Sequence, residues 1–126
     1  MILIGFIKEH NNIKEAIDYS TFKNNESTND HVLDIIKYLN SGVYILGWMG
    51  VFMDLENQDF ISPDSYYTDG EYIWPAYFSY YLKKHPNAQI DKNFLIHASR
   101  NNFQIDESKI DNHLKEQLEI ELAKRL

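Results

Sequence analysis

Residues 43–53, VYILGWMGVFM, form a run of eleven positions without a charged side chain, closed by Gly42 on one side and Asp54 on the other. A membrane-spanning helix needs about 20 apolar residues, so the run reads as part of a core. It is rich in β-branched and aromatic side chains and bounded by turn formers, which predicts a strand buried on both faces at the centre of a sheet. Gly47 and Gly50 inside it predict a bulge or a close approach by another element.

The flanking segments supply the partners. Asp30 is placed to cap a helix carrying Val32, Leu33, Ile35, Ile36 and Leu39, with Gly42 following as its C′ residue. DLENQD at 54–59 is a polar turn, Phe60 and Ile61 resume extended structure, and Pro63 limits pairing. In YYTDGEYIWP at 66–75, Asp69-Gly70 is the signature of a two-residue type I′ hairpin. Pro75 suits the first turn of a helix through AYFSYYLKKH, which Pro86 ends. Asp91 caps a helix over 92–101. Asp106 caps a C-terminal helix in which Ile110, Leu114, Leu118, Leu122 and Leu126 recur every fourth residue. Weaker patterns suggest a strand at 2–7, a short helix at 13–19 and a polar loop at 22–30. The order predicts one α+β domain over 1–126, a small antiparallel sheet with a central hydrophobic strand and a β-hairpin, packed against several helices.

Charge narrows the function. The 126 residues carry a net charge of −7, which opposes unaided binding to nucleic acid. Residues 43–75 hold the acids Asp54, Glu56, Asp59, Asp64, Asp69 and Glu71 and no Lys or Arg, whereas 76–103 hold Lys83, Lys84, Lys92 and Arg100 against Asp91 alone. Cysteine is absent, which removes thiolate chemistry. The N-terminal MILIGFIKEH lacks the features of a secretory signal, so the cytoplasm is the expected compartment, without membrane association. No nucleophile elbow, phosphate-binding loop or metal-helix histidine spacing occurs, and G-x-x-G at GWMG lies inside an apolar run. Neither catalytic residues, metal nor cofactor are expected. Asp64, Asp69 and Glu71 read as surface or turn acids in preference to a glycosidase pair. The tyrosines crowding 66–81 are mostly core, yet Tyr and Trp also dominate protein interfaces.

YLNSGVYILGWMGVFMD followed by YYTDGEYIWPAYFSYYLKKH resembles a set of small bacterial proteins marked by Y-L-x-x-G, a hydrophobic strand, and T-D-G-x-W-x-W-P before a Tyr-rich helix. The matching residues are Tyr38, Leu39, Gly42, Thr68, Asp69, Gly70, Trp74, Pro75 and Tyr81, with Tyr72 where the set often has tryptophan. The resemblance spans residues 38–103. That set is similar to immunity proteins of bacterial toxin systems, including contact-dependent growth inhibition. It implies a non-enzymatic inhibitor that binds a cognate toxin domain, and the acidity here suits a basic nuclease. On the residues, the expected contacts are Asp64, Tyr66, Tyr67, Asp69, Glu71 and Tyr72, with Asp54, Glu56 and Asp59 as a second patch. The alternatives are a ligand-binding module or enzyme with a tyrosine-lined pocket, and a weak homodimer in place of a monomer.

Overall fold

The computed structural model describes residues 1–24 and 29–126. The expected loop at 22–30 therefore falls in part, at 25–28, outside the described residues. The elements in chain order are β1 (Ile2–Leu3), α1 (Tyr19–Lys23), α2 (Val32–Asn40), β2 (Val43–Met53), β3 (Phe60–Thr68), β4 (Tyr72–Pro75), α3 (Tyr77–Lys84), α4 (Lys92–Arg100) and α5 (Asn112–Arg125), with a 3-10 turn at Glu107–Lys109. The class is α+β. The sheet is mixed, because β1 pairs with β4 in parallel while β2, β3 and β4 are antiparallel.

Strand order is β1-β4-β3-β2, so β2 lies at an edge and not at the centre. Its middle residues, Gly47 to Val51, are exposed, and only Ile45, Leu46 and Phe52 are buried. An apolar run says that burial is wanted, but not that this chain supplies it. The short β4, buried at all four residues, is an inner strand instead.

Register divides the sheet into faces. Tyr67 opposes both Trp74 and Tyr44, so these three side chains share one face. Trp74 is sandwiched there by Tyr38 of α2 and Phe94 of α4, with ring centroids 6.2 and 6.1 Å away, and Phe94 also packs on Tyr72 at 5.1 Å. On the other side, Tyr66 stacks on Phe6 and meets Phe52, which stands edge-on to Tyr77 of α3 at 4.7 Å.

The ends of elements follow local chemistry. Asp91 caps α4 by accepting from the N–H groups of Asn93 and Phe94, as expected. Asp106 caps the 3-10 turn, and the cap of α5 is Asp111, whose carboxylate accepts from Leu114 N–H at 2.8 Å. His31, not Asp30, holds the N-cap position of α2. Pro75 ends β4 opposite Tyr66, and α3 begins two residues later. The expected helix at 13–19 is absent: Ile17 bridges Ile7, with its N–H donating to Phe6 O and its carbonyl accepting from Lys8 N–H. Seven residues without a cap are too few to nucleate a helix against that pairing. The expected strand at 2–7 stops at Leu3, because Gly5 turns with φ +73° beneath the Phe78 ring.

Candidate functional site: an uncovered sheet ribbon

The β3–β4 turn shows how the motif residues are used. Only Gly70 of the Asp69-Gly70 pair has positive φ, +107°, so the turn is not type I′. Side chains close it instead. Thr68 Oγ1 donates to Tyr72 O at 2.7 Å and accepts from Gly70 N–H. Asp69 Oδ1 accepts from the N–H groups of Glu71 and Tyr72 at 3.0 and 2.8 Å. Asp69 Oδ2 accepts from the Tyr38 hydroxyl at 2.6 Å and sits 2.9 Å from His97 Nε2. Trp74 Nε1 donates to Leu39 O, and a Cβ on Gly42 would lie 2.5 Å from the Trp74 ring. Most of the motif thus forms one packed unit joining α2 and α4 to the β3–β4 hairpin, and its residue types are explained by folding.

A second unit fixes the β2–β3 turn. The Asp54 side chain is fully buried, accepting from Tyr80 OH at 2.6 Å, from Lys84 Nζ at 2.9 Å and from the N–H groups of Glu56 and Asn57. Burial pushes its carboxyl up, but the hydrogen bonds from Tyr80, Lys84 and the backbone outweigh it and hold the group well below the usual carboxylate range. Glu56 is also lowered, first by its hydrogen bond from Tyr19 and then by Lys23, Lys84 and His85 around it. The Tyr81 hydroxyl lies 2.8 Å from His10 Nε2 and accepts from Leu55 N–H, tying the N-terminal segment to the same turn.

Most of the tyrosines crowding 66–81 are core residues. Tyr66, Tyr72, Tyr77 and Tyr81 are buried against one another and against phenylalanines. Burial pushes the Tyr38, Tyr66 and Tyr77 phenols up, and the hydrogen bond to Asp54 carries Tyr80 to about 12. They are protonated donors and acceptors inside the fold. Ile7 N–H donates to Tyr77 OH, which donates to Asn11 Oδ1, while Asn11 Nδ2 donates to Tyr66 OH. A polar cleft of about 500 Å³ opens beside Tyr38, Asp69, Glu71 and His97. Its deepest acid, Asp69, already makes the contacts that hold the turn.

The nine expected contacts therefore separate. Asp54, Tyr66 and Tyr72 are buried and cannot present a surface, and the Asp69 carboxylate is spent on the turn. Tyr72 is buried because Phe94 and His97 of α4 pack on its ring. Tyr67 and Asp64 are half-buried, and Asp64 Oδ1 is enclosed without a hydrogen-bond partner among the described residues. Glu56, Asp59 and Glu71 remain exposed. The acidic patch is further thinned by Lys84, from the basic segment, which neutralises Asp54 and approaches Glu56.

What is exposed is apolar. On the β2–β3 ribbon, Val51 opposes Pro63 and Met53 opposes Phe60, all four facing solvent on the side opposite Phe52. Tyr44, Trp48 and Met49 continue the exposure along β2. Among the described residues no strand pairs with the outer edge of β2. Exposed apolar groups grouped in this way make the ribbon the candidate interaction surface. The ribbon has no lysine or arginine, since none occurs between Lys37 and Lys83, and its turn carries the exposed acids Glu56 and Asp59. The available sequence signal for this surface was the length of the apolar run together with its two glycines.

No helix among the described residues is long and apolar enough to cross a membrane, and no cluster of ligating side chains suited to a metal ion occurs among them. No family model, curated protein or solved structure matches the chain.

Proposed function

We propose that the protein is an immunity-type inhibitor, a non-enzymatic binding protein that neutralises a cognate toxin domain in the cytoplasm. The observation that carries this reading is the apolar outer face of the β2–β3 ribbon, Val51, Met53, Phe60 and Pro63, left open on an otherwise well-covered sheet. A face of this kind is stable in water only at a cost, and a partner that covers it recovers about 25 cal/mol for each Å² buried. The exposed turn acid Asp59, which lies outside the ion pairs around Glu56, and the net charge of −7 favour a cationic partner. A nuclease toxin fits that description, because holding phosphates requires a basic surface.

The reading differs from the sequence expectation in where contact is made: the apolar ribbon with Glu56, Asp59 and the edge of Tyr67, in place of the buried tyrosines. The experiment is co-expression with the polypeptide encoded immediately upstream in the same genome, followed by purification and a growth assay. A stable complex and rescued growth are the expected result. Toxicity without rescue and without a complex would remove the immunity reading.

A further inference from the structure

The ribbon contains an irregularity that its own packing does not require. Gly47 opposes Ser65 and Val51 opposes Pro63, so the three residues Trp48, Met49 and Gly50 face the single residue Asp64. This is a β-bulge with two extra residues, and bulges re-aim side chains where they occur. Gly50 enables it with φ +114°, yet a Cβ there would meet nothing within 4 Å. The glycine therefore serves the backbone conformation and not a close approach. The result is that Met49 is 100% exposed and Trp48 47% exposed, on an edge strand.

Resting on the immunity reading, we propose that this bulge is the anchor of the interface: Trp48 and Met49 enter an apolar pocket of the partner whose rim carries lysine or arginine. A bulge that merely protected the strand edge from pairing would be served as well by Lys or Pro, which natural edges use. Trp and Met are instead residues enriched in interface cores. The neighbouring ribbon carries no Lys or Arg of its own, and Asp59 on its turn is exposed outside the ion pairs around Glu56, so an occupant that covers the turn without burying that acid unpaired has to supply a cation at the rim. A second copy of the chain supplies the same acids and the same net charge of −7, and is disfavoured as the occupant. Because Gly50 holds the bulge in the free protein, the two anchors are presented before contact.

The test is calorimetric titration of the purified upstream-encoded polypeptide with the wild type and with Trp48→Ala, Met49→Asp and Gly50→Ala, with circular dichroism confirming each fold. Leu33→Asp serves as control, since Leu33 is 78% exposed on α2, away from the ribbon. Expected are losses of at least about 30-fold for the two anchor variants, a loss of about 10-fold for Gly50→Ala, and wild-type affinity for the control. Anchor variants that bind within threefold of a binding wild type would overturn the bulge assignment and leave the immunity reading standing. A wild type that does not bind would overturn that reading and this assignment with it. A concentration-dependent dimer of the wild type, abolished by Met49→Asp, would show that the bulge is a self-interface and overturn the assignment too.

Discussion

Asp54 concentrates the cost and the reward of a buried charge in one side chain. Its carboxylate is taken wholly out of water, and each oxygen is compensated by donors from Tyr80, Lys84 and the turn backbone. The folded group titrates below its unfolded value of about 3.9. Linkage sets the sign: stability from this group is fully present above the unfolded value and is lost as pH falls toward the folded one. Urea unfolding followed from pH 7 to 2 should therefore show wild-type stability dropping more steeply below about pH 4 than that of Asp54→Asn. Parallel acid limbs would mean that the carboxylate is not preferentially stabilised in the fold. Gly42 poses a steric question at the same scale. A methyl there meets the Trp74 ring at 2.5 Å and Tyr67 Cβ at 3.0 Å, between groups fixed by the core. Gly42→Ala should cost about 1–3 kcal/mol by overpacking, read from the urea midpoint at constant m-value.

Among elements, β2 shows both what patterning reveals and where it stops. Its ends were legible from Gly42 and Asp54, and its extended nature from its β-branched and aromatic content. Its place in the sheet was not, because a run waiting for a partner and a run buried on both faces have the same composition. The acidic segment was legible too, but the separation of its members into buried anchor, turn brace and exposed rim depends on Lys84, Tyr80, Tyr38 and His97, which come from other elements. The C-terminal helix was legible from its leucine spacing but runs only over Asn112–Arg125, leaving Ile110 before it and Leu126 after it, and its cap is Asp111 because Asp106 and Asp111 carry equally good capping chemistry. The contrast between the two faces of β2 can be measured. Phe52→Ala should destabilise by about 3–5 kcal/mol, whereas Met53→Lys, one residue along and outward, should stay within about 0.5 kcal/mol. Equal costs at the two positions would place Met53 in the core. Asp111→Ala should cost about 1 kcal/mol through the lost cap of α5, again by urea unfolding.

For the molecule as a whole, charge and apolar surface have separate tasks. The net charge of −7 acts at distances up to a Debye length, about 8 Å at physiological salt, whereas Trp48 and Met49 act only in contact. Encounter with a cationic partner should therefore be governed by the first and release by the second. Trp48 provides a reporter, since it is 47% exposed while the other tryptophan, Trp74, is buried at 2%. In stopped-flow fluorescence with the upstream-encoded polypeptide, raising salt from 50 to 500 mM should lower the association rate about tenfold or more and change dissociation far less. Asp59→Lys should reproduce part of that loss at low salt, because Asp59 is an exposed acid on the ribbon turn outside the ion pairs that surround Glu56. Met49→Asp should instead speed dissociation. An association rate indifferent to salt would mean that the partner meets the ribbon by shape alone, with no part for the Asp59 carboxylate in the encounter.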